Sequence, residues 1–201
     1  MNASVISDSF SAFNSRRGFL RTAPVLLASC YGVLPRRSLA SVPELDPIFW
    51  SQPRAIRVST PQQPLREYVY WRDGKFEMEE YLELSAACLD VREGRAVQMA
   101  PGVFDIIYAT QQSYKRIAGK STYTQLTSAF RTPRTNTIVG GSPNSKHMDG
   151  TALDGGMAGV DLHTYAAMVR EYRAGGVGIY KRHVHWDVGR APVFWRGGGI
   201  E

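Results

Sequence analysis

Three of the four histidines in this 201-residue chain fall in two short stretches, His147 in "SKHMDGTALD" and His183 with His185 in "RHVHWDVG". The first stretch also carries Asp154, seven positions after His147, and the second carries Asp187. Imidazole and carboxylate clustered in this way point to a metal. In a strand, positions 183, 185 and 187 face the same way, so both imidazoles and Asp187 would share one surface while Val184 and Trp186 pack behind it. A catalytic zinc takes three protein ligands of these types and keeps a fourth position for water, whose pKa it lowers to about 7. His147, Asp154 and His185 meet that count if a loop eased by Gly150 runs into a strand and lets the first two converge. The spacing alone is equally compatible with a surface histidine and a turn aspartate.

The elements that must hold these residues can be read around them. "REYVYWRDGKF" alternates Tyr68 and Tyr70 with polar neighbours and then turns at Asp73-Gly74, the pattern of a strand entering a tight turn. "EMEEYLELSAACLDVR" has acidic residues in its first turn, Arg92 in its last, and Tyr81, Leu84, Cys88 and Val91 at helical spacing. Pro101 suits the first turn of a second helix, with Val103, Ile106, Ile107, Thr110, Tyr114 and Ile117 in one stripe and an end near Gly119. "YTQLTSAF" reads as a strand. After Gly- and Asn-rich turns come a helix at about 161 to 173, with Asp161 as its N-cap, and two strand-like segments, "GVGIY" and "HVHWDV". Helices followed by an antiparallel sheet predict an α+β domain, and there is no internal repeat. Five prolines between residues 41 and 64 predict an extended arm, so the domain proper is expected to run from Leu65 to residue 201.

A net charge of +6 invites a nucleic-acid reading, but most of it lies in the first 40 residues. "SRRGFLR" at 15 to 21, the apolar run "APVLLASCYGVL", and the small residues Ser38 and Ala40 read as a twin-arginine export signal cleaved after Ala40. The apolar run is too short for a permanent membrane span, which needs about 20 residues. The leader holds five arginines and one aspartate, so the remaining 161 residues carry only +2 and have no electrostatic reason to seek nucleic acid. Cys88 is then alone and reads as a small buried hydrophobe, so no internal disulfide is expected. "LASC" at 27 to 30 also fits a lipoprotein box, and attachment to a membrane is expected only if Cys30 is lipidated.

The metal reading gains from a wider pattern. Ser145, His147, Gly150, Ala152 and Asp154 reproduce S-x-H-x-x-G-x-A-x-D, "SAFRTPRTN" upstream is similar to an S-G-Y-R-S-P-x-x-N block with Ala129 in place of the glycine, and "GVGIYKRHVHWDVG" follows. Together these resemble the zinc D-alanyl-D-alanine peptidases of the hedgehog/DD-peptidase fold, in the YcbK-like branch. The resemblance extends back through "CLDVR" and "YWRDGKF" to about residue 65. It implies a central antiparallel sheet with helices packed on one side, Zn2+ bound by His147, Asp154 and His185, and Arg131 beside the substrate, gripping a carboxylate or polarising the scissile carbonyl.

Two residues compete for the general base. His183 forms the H-x-H pair of related murein endopeptidases and lysostaphin-like enzymes, although the YcbK-like branch commonly has an apolar residue there. Asp187 follows His185 by two, as in V-H-x-D, and could instead orient an imidazole. Tyr180 could reach an oxyanion and Ser145 could position substrate, while Asn136 braces the turn after Arg131 and His163 is structural. The expected protein is an exported, periplasmic zinc peptidase cutting peptidoglycan stem peptides or cross-links, of D,D or L,D type. The rivals are an exported zinc peptidase acting on ordinary protein and a non-catalytic peptidoglycan-binding or scaffold protein, in which a fourth protein ligand, His183 being the nearby candidate, would close a structural zinc site.

Overall fold

The computed structural model describes residues 46–197, so the segment read from sequence as an export signal, with Cys30, and residues 41–45 lie outside what is described. In chain order the elements are α1 (Pro47–Ser51), β1 (Arg54–Ser59), β2 (Arg66–Arg72), β3 (Lys75–Phe76), α2 (Met78–Ala87), α3 (Pro101–Ala118), β4 (Thr124–Ser128), α4 (Pro133–Ile138), β5 (Ala152–Met157), α5 (Leu162–Glu171), β6 (Gly176–Ile179), β7 (Val184–Asp187) and β8 (Val193–Arg196). Local chemistry sets several of these ends. Pro101 occupies the first turn of α3, and Gly119 closes it at φ 70, a left-handed conformation that glycine adopts without cost. Asp161 caps α5 by accepting the Thr164 N–H at 3.0 Å.

The strands form one sheet in the order β3-β2-β1-β4-β5-β7-β6-β8. It is mixed rather than antiparallel: β1 and β4 run parallel, as do β6 and β8. The β1/β4 pair is made by a crossover that carries α2 and α3, the long connection that parallel neighbours require. Alternation along a strand reveals its faces but not its direction, so the antiparallel sheet expected from sequence is corrected here to a mixed one.

Helices α2, α3 and α5 pack on one face. Tyr70 of β2 meets Phe104 of α3, Tyr81 of α2 meets the same ring, and Trp186 of β7 packs against Tyr165 of α5 and donates its indole N–H to the Val103 carbonyl. Ile56, Leu84, Phe104, Ile107, Leu153, Tyr165 and Trp186 are all excluded from water. Full burial of side chains of this size stabilises by roughly 1.5–3 kcal/mol each before entropy is counted. In β7, Val184 and Trp186 serve this core, so His185 and Asp187 are directed to the opposite face of the sheet.

Two expectations need correction. The segment 41–64 is not an extended arm where it is described: residues 47–51 form α1, and β1 lies inside the sheet between β2 and β4. Arg54 is 3% exposed, pairs with Asp105 Oδ1 at 2.7 Å, and lies over the rings of Trp50 and Trp71. The domain therefore starts before Leu65. The helix predicted through Arg92 stops at Ala87, because Asp90 turns back to pair with Arg95; Val91 and Ile117, read as core, are exposed. Cys88 is buried, and burial pushes its thiol up to about 12. Among the described residues, no helix is long and apolar enough to cross a membrane.

Candidate metal centre

Strands β5 and β7 are antiparallel neighbours in a register that sets Asp154 directly opposite His185. Cross-strand partners project to the same face, so carboxylate and imidazole meet there. Gly155 lets β4 approach, since a Cβ at that position would lie 2.5 Å from the Gln125 carbonyl oxygen. His147 arrives from the loop before β5. That loop is closed by Met148 N–H to the Ser145 carbonyl and Thr151 N–H to the Lys146 carbonyl, with Gly150 at φ 67. The Arg131 N–H holds the His147 carbonyl at 3.2 Å.

The three side chains converge. His147 Nε2 lies 3.1 Å from Asp154 Oδ1 and 3.1 Å from His185 Nδ1, and His185 Nδ1 lies 2.8 Å from Asp154 Oδ1. All three residues are buried. The outer nitrogen of each ring fixes which inner nitrogen is bare. His147 Nδ1 faces the Ala129 carbonyl at 2.6 Å, so it must donate and leave Nε2 as a lone pair. His185 Nε2 faces the Asp187 carboxylate at 3.1 Å, so it donates and leaves Nδ1 bare. Two lone pairs and a carboxylate oxygen then point at one another across about 3 Å, an arrangement that repels itself unless a cation lies between them. Donors about 2.0–2.1 Å from a tetrahedral zinc stand about 3.3 Å apart, close to the observed spacing. The residues fit a divalent metal with two nitrogen ligands and one oxygen ligand.

Their electrostatics agree. Burial would raise the Asp154 carboxyl, but the His147 and His185 rings overcome it and hold the group well below the ordinary carboxylate range. Burial would lower the His185 imidazole, yet hydrogen bonds to Asp154 and Asp187 raise it above its ordinary value. The cluster thus favours positive charge, and a metal held there would compete with protons.

The bordering residues differ from one another. Arg131 donates through Nη2 to Asp154 Oδ2 and through Nε to Ser128 Oγ at 2.8 Å. Ser128 reaches this place because the β4/β5 register shifts between Leu126 and Ser128, a bulge that sets Ser128 opposite Asp154. His183 stands just outside, its Nε2 3.9 Å from Asp154 Oδ1, its ring stacked on Tyr180 and its side chain 27% exposed. Burial lowers its imidazole, outweighing the pull of Asp154. It does not belong to the group of mutually close ligand atoms, which comprises His147, Asp154 and His185.

Asp187 does not face the open site. It is fully buried and accepts the Gly176 N–H at 2.8 Å, a two-point ion pair from Arg190 and the His185 N–H. Every lone-pair direction is in use, which leaves nothing to take a proton from a reactant, so a role as catalytic base has no geometric support. Among the described residues, Tyr180 touches His183 and Trp195, and Ser145 contributes backbone hydrogen bonds that close the loop. Asn136 does brace its turn, donating to the Ser142 carbonyl at 2.8 Å.

Several residues that build the site escaped the sequence reading. Asp90, 2% exposed, accepts the Thr132 N–H and hydroxyl, the Thr135 hydroxyl and the Arg92 N–H, locking the segment that bears Arg131. Burial would raise its carboxyl, but these donors bring it down to about 2. Its signal was an aspartate two residues before a turn N–H, the Asx-turn pattern. Arg190 and Trp195 carried no local signal of comparable strength.

A family profile described as peptidoglycan L,D-endopeptidase MepK matches residues 51–194. Among curated relatives, the peptidoglycan L,D-endopeptidase MepK of Escherichia coli strain K12 is 32% identical over 127 residues, covering 59% of this chain and 68% of that protein. The MepK of Shigella flexneri matches to the same extent. The matched span begins before β1, in accord with a domain that includes it.

Proposed function

Because this chain belongs to the peptidoglycan L,D-endopeptidase MepK family, we propose that it is a zinc peptidase hydrolysing an L,D amide bond in peptidoglycan cross-links. The observation that carries the reading is the convergence of His147 Nε2, Asp154 Oδ1 and His185 Nδ1 within about 3 Å, each ring anchored on its far side. The ligand group has three members, with His183 outside it, and this favours an open catalytic site over a closed structural one.

Zinc held by these residues would supply Lewis-acid activation of a water and of the scissile carbonyl. Asp187 keeps the His185 Nε2–H in place and so keeps Nδ1 available as a ligand. Arg131 neutralises the outer oxygen of Asp154, and its remaining Nη1 group is left to receive charge on the substrate carbonyl. His183 takes a proton at Nε2 from the attacking water and returns it to the leaving amine. Its lowered pKa keeps it neutral and able to accept at neutral pH. Ser145 and Tyr180 flank the substrate.

The twin-arginine leader, cleaved after Ala40 or instead processed so that an acylated Cys30 becomes the first residue, would deliver the domain to the periplasm or cell exterior, where its substrate lies. Partners are then peptidoglycan and the twin-arginine export machinery. The experiment is mass spectrometry of muropeptides released from purified sacculi by the zinc-loaded chain, with His185→Ala and a casein digest alongside. Loss of L,D cross-links with the wild type alone supports the proposal. Intact sacculi with casein degraded would refute it.

A further inference from the structure

Around His185 the side chains of Arg190, Trp195, Tyr180 and His183 form an unbroken arc. The Arg190 guanidinium lies 5.0 Å over the Trp195 ring, whose centre is 5.3 Å from that of His185. Trp195 Nε1–H donates to the Tyr180 hydroxyl at 2.9 Å, and the Tyr180 ring stacks on His183 at 4.7 Å with 16° between the planes. The backbone is shaped to seat both rings. A Cβ on Gly178 would lie 2.5 Å from the Trp195 indole, and one on Gly197 would collide with the Tyr180 ring. Trp195 is also the one residue of the edge strand β8 that is not exposed.

His183 needs such support. It sits in the turn between β6 and β7, where the Tyr180 N–H closes onto its carbonyl at 2.9 Å. Its imidazole makes no hydrogen bond among the described residues and reaches the Asp154 carboxylate only to 3.9 Å. A partly exposed ring without a hydrogen bond has several rotamers open to it, whereas a proton carrier must hold one. The stack on Tyr180 selects the plane of the ring, and the indole N–H selects the position of Tyr180.

We propose that Trp195 is a positioning residue for His183: its N–H fixes the Tyr180 ring, and the face of that ring orients the imidazole at the rim of the metal cluster. The inference rests on the reading of His183 as the proton carrier. It makes β8, the last strand among the described residues, a working part of the site.

Trp195→Phe keeps a ring against Gly178 and removes the donor, and Tyr180→Phe removes the same bond from the other side while keeping the stack. On a purified cross-linked muropeptide, each zinc-loaded variant should lower kcat about fivefold, the effect of one neutral hydrogen bond, and Trp195→Phe should keep KM within about twofold. The double variant should be no worse than the more impaired single one, because both remove one interaction. A readout independent of turnover is the pair of His183 ring C–H resonances, identified by their loss in His183→Gln. They should lie upfield in the wild type, under the Tyr180 ring, and move toward those of exposed His163 in Trp195→Phe and Tyr180→Phe. Unmoved His183 signals, or Trp195→Phe with wild-type kcat, overturn the proposal. A wild type that cleaves no muropeptide would instead sink the peptidase reading, and the resonances would still decide the positioning.

Discussion

Replacing Asp187 with Asn should cripple metal binding although Asp187 is not itself a ligand. Oδ1 accepts the Gly176 N–H and Arg190 Nε, while Oδ2 accepts His185 Nε2–H and Arg190 Nη2. An asparagine can offer oxygen to only one of these two donor pairs, and with its NH2 at the Oδ2 position it faces the His185 and Arg190 donors. His185 can relieve the clash only by giving up the Nε2 proton, which moves the proton to Nδ1 and abolishes the lone pair that faces the metal. The lost charge-assisted hydrogen bond is worth about 2 kcal/mol, so zinc affinity should fall roughly 30-fold, within the range for removal of such partners. The assay is competition for zinc against a chromophoric chelator at pH 7, with the metal-free melting temperature followed in parallel. Asp187→Asn binding zinc within about threefold of the wild type would refute the reasoning that the Asp187 carboxylate sets the His185 tautomer.

Three further outcomes follow from other parts of the structure. Asp90 has a depressed carboxyl, so its contribution is present above the ordinary aspartate value and lost as pH falls toward about 2. The shift corresponds to about 2 kcal/mol, so Asp90→Asn should melt roughly 4–8 °C lower at pH 7 and show a flatter stability profile between pH 4 and 2, checked by calorimetry. His183→Gln should retain zinc with wild-type affinity and lose at least about a hundredfold in kcat, as removal of an acid-base group does; full activity would remove His183 from the mechanism. Gly155→Ala should destabilise by about 2 kcal/mol or more in denaturant titration, because its Cβ meets backbone of β4 rather than a side chain that can yield.

What the sequence revealed, and what it hid, has a physical pattern. The cluster of His147, Asp154 and His185 was legible because its residue types are few and its members sit in short stretches with fixed spacing. Helices α2, α3 and α5 were legible from their apolar stripes and from Pro101, Gly119 and Asp161 at their ends. Strand β1 was hidden by its neighbours: Pro47 opens α1, Pro53 precedes the strand, and Pro61 and Pro64 lie in the turn after it, so none interrupts it. Proline marked boundaries there rather than absence of structure. Arg131 was found as a residue, but its ion pair with Asp154 depends on a bulge in β4 that no alternation pattern announces. Trp195 and Arg190 belong to a four-residue edge strand and the turn before it, segments too short to carry a period. Their importance comes from close approach to Gly176 and Gly178, which only folding brings about.

The most direct test of the central claim is zinc K-edge X-ray absorption on the stoichiometrically loaded domain. Two imidazole nitrogens, one carboxylate oxygen and one further light oxygen around zinc are expected, with His183→Gln leaving the spectrum unchanged. Three imidazoles in the wild type, reduced to two in His183→Gln, would show a site closed by protein and contradict the account of an open catalytic metal.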